Sequence, residues 1–369
     1  MGADARADLL RGETSDGRAY AVKTSTGPQP GIVVAGHLAR AGVPGVPAPL
    51  PSLEDGWASE RDGVRLSVVP WVSDRRGLDV GLAPGHWRSL GALLSALHRV
   101  PADAPGLRGL PTAGRDPEPL LARLHALDDR LATSRAPRPG AGATADAGTG
   151  AAASVDARTG TDARTGAGAG RGAGAGRGAD AGRGADAGRG DDAHVGELLR
   201  LWAEGGRERL LAVGELARRA ASDPHAWADA PWVVAHTDPH PGNVLLAGEG
   251  ADDGADGVWL VDWDDAARAT PEWDLMFVVG GVLATPTAAD QAAFAEGYGQ
   301  VRLDPVRLRY AQATRALHDF LDFADDVLAT DRLPDADRRW SVEVLAGQLS
   351  PDGLVAFALG ERGSDRLGP

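Results

Sequence analysis

Four side chains have the types and spacing that phosphoryl transfer to an alcohol requires. In His236-Thr237-Asp238-Pro239-His240-Pro241-Gly242-Asn243, an aspartate is followed five residues later by an asparagine. A second aspartate, Asp262, closes the apolar run Val258-Trp259-Leu260-Val261. Asp238 could accept a hydroxyl proton, while Asn243 and Asp262 offer oxygen ligands to hold Mg²⁺ against nucleotide phosphates. The fourth side chain is Lys23, the one lysine in a chain with 38 lysines and arginines together. A compact ammonium is not interchangeable with a planar guanidinium. A single lysine in so arginine-biased a chain therefore stands out, although by position alone it would read as a surface strand lysine.

These groups need elements to carry them. Trp232–Ala235 is a short apolar run that reads as a buried strand delivering His236 and Asp238 into a loop. Pro239 and Pro241 restrict that loop, and Gly242 allows a tight bend. Val244-Leu245-Leu246 and Val258–Trp263 read as partner strands across an acidic, glycine-rich turn, 247–257. Such a hairpin brings Asn243 and Asp262 to one end despite their separation in sequence. Lys23 ends the alternating segment Arg18–Lys23, just after the turn signal Ser15-Asp16-Gly17. Further strands are expected at Ala7–Arg11, Trp57–Arg61 and Val64–Val69, and helices at Ile32–Ala41, His86–His98 and Leu317–Ala329.

The pattern H-x-D-x-x-x-x-N followed by a strand ending in Asp belongs to kinase-like enzymes. In the form His236-Thr237-Asp238-Pro239-His240-Pro241-Gly242-Asn243-Val244-Leu245 it resembles the aminoglycoside phosphotransferase family, a branch of that fold that phosphorylates small-molecule alcohols. Ala21-Val22-Lys23 similarly resembles the strand context of the phosphate-binding lysine. The resemblance implies an α+β, two-lobed protein-kinase-like fold with a small antiparallel-sheet N-lobe and a mostly helical C-lobe. It implies ATP and Mg²⁺ as cofactors, with Asp238 as base, Asn243 and Asp262 as metal ligands and Lys23 on the α/β-phosphates. Adenine would lie at a hinge, Val68–Val72, against the Pro70 carbonyl and the Val72 N–H. His236 and Asp274 would support the catalytic loop, Asp274 by accepting its backbone N–H groups. His98 reads as a scaffold histidine.

Three departures from the family pattern bear on this reading. The 22 residues before Lys23 are too few for the extra strand and phosphate-covering loop expected there, so weak ATP affinity is expected. The segment from Thr24 to Ala41 has no acid to pair with Lys23. Thr237 stands where Gly or Ser is usual, a change expected to be harmless.

Composition bounds the rest. With no cysteine, a disulfide scaffold, a thiol nucleophile and a zinc–thiolate site are excluded. The N-terminus lacks the apolar core of a signal peptide, and Leu275–Ala284 is too short to span a bilayer. A soluble cytoplasmic protein is expected, with no membrane partner. Residues 140–193 are almost entirely Gly, Ala, Asp, Arg and Thr, with four tandem hexads over 167–190. They are expected to be a disordered insertion, for want of core residues. It divides the chain into an N-lobe (1–72), a first C-lobe part (73–139) and the catalytic remainder (194–369). The net charge of −14 disfavours nucleic acid and would either attract cationic substrates or serve general solubility; the partner that the resemblance implies is a small-molecule alcohol. On the last helix, Asp319, Asp322 and Asp326 form a carboxylate row that could bind substrate amino groups. Acceptors in view are an aminoglycoside, an aminocyclitol such as spectinomycin, homoserine or choline. Two other classes compete: a non-catalytic kinase-like nucleotide-binding protein, and a binuclear metallophosphoesterase suggested by the D-x-H pair Asp238/His240.

Overall fold

Gly17, with φ of 82°, turns the first strand back on the second. Strand β1 (Ala7–Glu13) pairs antiparallel with β2 (Ala19–Ser25), register Leu9↔Lys23. The turn is closed by the Thr14 N–H on the Arg18 carbonyl. Helix α1 (Ile32–Arg40) follows, and β3 (Ala58–Arg61) and β4 (Val64–Pro70) complete a four-stranded sheet of order β1-β2-β4-β3. The computed structural model describes residues 7–26, 31–53, 56–135, 187–247, 257–279, 286–300, 302–330 and 332–361.

Beyond the sheet the chain is mostly helical. Helices α2 (Gly77–Val80), α3 (Pro84–His98) and α4 (Glu118–Arg135) precede α5 (Ala187–Leu201), which runs through a π-turn into α6 (Arg207–Ser222). Helix α7 (Pro224–Ala228) leads to three short strands: β5 (Val233–Ala235), β6 (Val244–Leu246) and β7 (Val258–Leu260). Strand β8 (Ala267–Ala269), α8 (Glu272–Leu275), α9 (Ala288–Tyr298), α10 (Pro305–Leu328), α11 (Asp335–Leu349) and α12 (Leu354–Leu359) complete the order. Strands β6 and β7 pair as Val244↔Leu260, and β5 pairs with β8.

The expected insertion is changed at one end. Residues 140–186 lie outside the described residues, but 187–193 belong to α5. The cause is downstream: Leu198 and Leu201 are buried in the helical core, and His194 meets Asp335 at 2.8 Å. An anchored amphipathic segment can extend a helix back into a sequence of poor intrinsic preference. The helix expected at Leu317–Ala329, α10, is also longer than the periodicity suggests. It begins at Pro305, where Asp304 accepts the N–H groups of Val306 and Arg307, a standard N-cap with proline in the first turn.

Two cores position the site. One gathers α4, α5, α6, α10, α11 and α12 around Trp202, Tyr310 and Phe320. The other joins Val34 and Leu38 of α1 to Leu90 and Leu94 of α3, Val244 and Leu260 of the hairpin, and Phe294 of α9. Helix α1 is thereby tied to the strands that carry Asn243 and Asp262. Among the described residues, one stretch, Asp335–Leu359, is long and apolar enough to cross a membrane. It is broken at 350–353 into α11 and α12, and both contribute to the first core.

Helices α3 and α9 approach so closely that a Cβ on Gly297 would lie 1.9 Å from the Arg88 carbonyl oxygen. Backbone cannot yield as a flexible side-chain tip can. Gly297→Ala is expected to force the helices apart at a cost of about 1–3 kcal/mol, the usual penalty of overpacking, read as a lowered Tm in thermal denaturation.

Candidate active site

The loop 236–243 hangs from one buried carboxylate. Asp274, fully buried, accepts the Thr237 N–H at 2.6 Å on Oδ1 and the His236 N–H at 3.0 Å on Oδ2. Its Oδ2 also meets His98 Nε2 at 2.9 Å, and His98 Nδ1 lies 2.7 Å from the Tyr298 hydroxyl. His236 fastens the loop from the other side. Its Nδ1 accepts the Asp238 N–H at 3.3 Å, so Nε2 carries the proton and donates it to the Val261 carbonyl at 3.0 Å. The structure thus brings His236, Asp274 and His98 together by hydrogen bonds around this loop.

Thr237 sits in an uncommon backbone conformation. It has φ of 68°, a left-handed conformation that a β-branched residue rarely adopts. The strain, about 1–2 kcal/mol, is opposed by the bond to Asp274 and by the Thr237 hydroxyl, which donates to the Asp265 carbonyl at 2.9 Å. Asp262 is also left-handed, at φ of 63°.

Asp238 is buried, with both oxygens in different company. Asn243 Nδ2 donates to the Asp238 carbonyl at 2.9 Å and to Oδ2 at 3.3 Å. His240 Nε2 is 3.6 Å from the same Oδ2. Burial drives the His240 pKa down to about 3, so the ring is neutral. Oδ1 lies 2.8 Å from Nη1 of Arg315, yet off hydrogen-bonding alignment. Burial pushes the Asp238 carboxyl above the ordinary range, against the attraction of Arg315. Arg315 was not singled out in the sequence.

The hairpin completes the site. The Val261 N–H donates to the Asn243 carbonyl at 3.0 Å, which sets Asp262 beside Asn243. Lys23 reaches across from β2 and bonds Asp262 Oδ1 at 3.1 Å and Asp264 Oδ2 at 2.5 Å. Burial raises the Asp262 carboxyl, but Lys23 outweighs it and the net shift is downward. For Asp264 burial prevails and the shift is upward. Lys23 is thus not unpaired: two carboxylates from the β7 exit take the part of the missing helix acid. A Cβ on Gly31, which caps α1, would lie 1.3 Å from the Trp263 carbonyl oxygen. The start of α1 rests directly on the hairpin exit, with no room there for a side chain. Asp264 lies 241 residues from Lys23, a separation that no local sequence pattern bridges.

The proposed hinge lies at the end of β4, with Pro70 opposite Tyr20 and the Trp71 N–H on the Ala19 carbonyl. Pro70 ends the strand that flanks β2, and Val72 lies just beyond it. The carboxylate row on α10 is divided. Asp319 bonds Arg315 Nε at 2.9 Å and so belongs to the Asp238 neighbourhood. Asp322 is taken by Arg123 at 2.7 Å and by His318 at 3.2 Å, and Asp326 faces Ser341. Helical spacing alone does not show where the partners stand. Among the described residues no group of three or more His, Cys, Asp or Glu side chains is arranged to hold a metal ion, so nothing favours the binuclear reading.

The model of the phosphotransferase enzyme family matches residues 32–313. The chain belongs to the phosphotransferase enzyme family. It is an enzyme that transfers a phosphoryl group to an alcohol group of a small molecule. No curated protein matches the chain. Among solved structures it is similar to the spectinomycin phosphotransferase APH(9)-Ia in complex with ADP and spectinomycin, at 17% identity and a TM-score of 0.67, covering 97% of this chain and 90% of that one. The AMP-bound complex of the same enzyme gives 16% identity and a TM-score of 0.65, with 96% and 91% covered. Likeness at that identity speaks for the fold: the kinase-like, two-lobed architecture expected from the motif.

Asp274→Ala removes the acceptor of two loop N–H groups and the partner of His98. Hydrogen bonds to a charged group contribute about 1.5–3 kcal/mol each. The variant is expected to lose several kcal/mol in chemical denaturation and most of its activity, whereas a loop fastened by other contacts would leave both nearly unchanged.

Proposed function

We propose that this phosphotransferase moves the γ-phosphoryl group of ATP to a hydroxyl of a small cationic acceptor, an aminocyclitol or amino alcohol, with Asp238 as the base. The single observation behind this reading is the pairing of a buried Asp238, its Oδ1 without an aligned hydrogen bond, with Lys23 held at the neighbouring hairpin exit.

Asp238 takes the proton from the acceptor hydroxyl as its oxygen attacks phosphorus; the nucleoside diphosphate leaves. Burial supports this role, since a carboxyl raised from its ordinary range is a stronger base once ionised. Lys23 contacts the α/β-phosphates, and the end of β4 at Pro70 and Val72 receives the adenine edge. The residues present suit Mg²⁺. Asn243 spends its amide nitrogen on Asp238, which leaves its amide oxygen free among the described residues, and Asp262 gives only one oxygen to Lys23. Hard oxygen donors in a site where carboxylates outnumber cations fit a small divalent ion. When bound, Mg²⁺ would neutralise phosphate charge.

The acceptor class rests on charge. Asp238, Asp262, Asp264, Asp265 and Asp319 surround two side-chain cations, Lys23 and Arg315. The excess would draw a positively charged acceptor. The similar spectinomycin phosphotransferase binds an aminocyclitol and a nucleotide. A binding protein without turnover would have no use for an intact base.

Two outcomes are expected. Asp238→Asn should keep ATP binding in calorimetric titration while turnover falls about 10²–10⁴-fold, the worth of a positioned base. Unchanged turnover, in an ADP-release screen of aminocyclitols and amino alcohols, would overturn the assignment. Lys23→Ala should weaken the binding of ATP with Mg²⁺, and Lys23→Arg should restore it only in part, because a planar guanidinium fork does not reproduce the contacts of a compact ammonium. Equal affinity in all three proteins would remove Lys23 from the nucleotide site.

A further inference from the structure

The guanidinium of Arg315 is buried within the helical lobe, its side chain only 17% exposed, and it lies between two carboxylates. Its Nε bonds Asp319, four residues along α10, at 2.9 Å. Its Nη1 faces Asp238 Oδ1 at 2.8 Å, and the Phe277 ring lies beneath with its centroid 5.6 Å from Cζ. A buried guanidinium is costly unless charge partners answer it. One salt bridge to Asp319 within α10 would suffice for local pairing. The second contact, to the base itself, has a different consequence.

Asp238 is held by two elements at once. Its own loop grips Oδ2 through Asn243, and α10 approaches Oδ1 through Arg315. Among the described residues no other group pairs with Oδ1. Helix α10 is well placed to act as a fixed support. Tyr310, Ala311, Ala313, Leu317 and Phe320 on either side of Arg315 are all buried, and side chains on packed helices hold position better than those on loops.

We propose that Arg315 is a positioning residue for phosphoryl transfer: anchored by Asp319, it fixes the Asp238 carboxylate so that one oxygen faces the acceptor hydroxyl. The inference rests on the reading of Asp238 as the base. It also gives Asp319 a role other than substrate binding, that of anchoring Arg315.

The test uses the full chain with ATP and Mg²⁺, following ADP release with water and with spectinomycin as acceptors. Four variants are compared with the parent: Asp238→Asn, Arg315→Ala, Arg315→Lys and Asp319→Asn. Arg315→Ala is expected to lower kcat about 10²-fold, the scale of a misplaced reacting group, with KM for ATP nearly unchanged. Arg315→Lys should recover part of the rate. Guanidinium chloride, kept too dilute to unfold the protein, should raise the Arg315→Ala rate and leave the parent and Asp238→Asn unaffected. Asp319→Asn should lower kcat less than Arg315→Ala does. If Arg315→Ala does not fold, Arg315→Gln, closer in shape, is read by the same criteria. A large loss in Asp238→Asn with full activity in the folded Arg315 variant overturns this inference alone. So does a loss in the Arg315 variant that neither lysine nor guanidinium repairs, because that is the mark of a purely structural residue. Full activity in Asp238→Asn overturns the base assignment, and this inference with it.

Discussion

Carboxylates are expensive to hold away from water, and this site holds several. An isolated buried carboxylate either finds partners or takes up a proton. Each one here is answered differently. Asp274 receives backbone N–H groups and a histidine, Asp262 receives an ammonium, and Asp238 receives an amide and a guanidinium. The differences decide what each can do. A carboxylate saturated with donors, like Asp274, is a fastener. One whose second oxygen meets only an off-axis cation, like Asp238, can still accept a proton.

This constraint explains why the two lobes meet where they do. The sheet that carries Lys23 contributes little core of its own; Leu10, Val64 and Leu66 are exposed. Its position relative to the hairpin depends on α1, whose Val34 and Leu38 enter the core beneath β6 and β7, and on the ion pairs of Lys23. Gly31 lets α1 touch the Trp263 backbone directly. Close packing at that point leaves no room for a side chain at residue 31, and the hairpin exit supplies the two acids that meet Lys23. Packing and electrostatics at the lobe junction are thus one arrangement.

Much of this was legible in the sequence because it is local. The D-x-x-x-x-N spacing, the two apolar runs around an acidic turn and the alternating strand before Lys23 each lie within a few residues. The structure keeps them as the loop 236–243, the pair β6/β7 and β2. What escaped reading was contact between distant segments. Lys23 and Asp264 are 241 residues apart, and Arg315 reaches Asp238 from a helix whose periodicity advertises only its apolar face. Thr237 escaped for another reason. Its residue type argues against a left-handed backbone, and the tertiary bonds to Asp274 and Asp265 override that preference. The start of α5 at Ala187 is likewise set by packing further along the helix, at Leu198 and Leu201.

The carboxylates of α10 show how a correct helical pattern can still mislead about chemistry. Asp319, Asp322 and Asp326 do share a broad face, as their spacing requires. A face is defined along one helix, however, while availability is defined by the neighbours. Asp322 looks toward α4 and finds Arg123, and Asp326 looks toward α11 and finds Ser341. Asp319 alone of the three joins the Asp238 neighbourhood, already committed to Arg315. A negatively charged row therefore does not translate into three free ligands. Any pull that this site exerts on a cation has to come from its summed field, to which a carboxylate contributes in proportion to the charge its own partner leaves uncancelled.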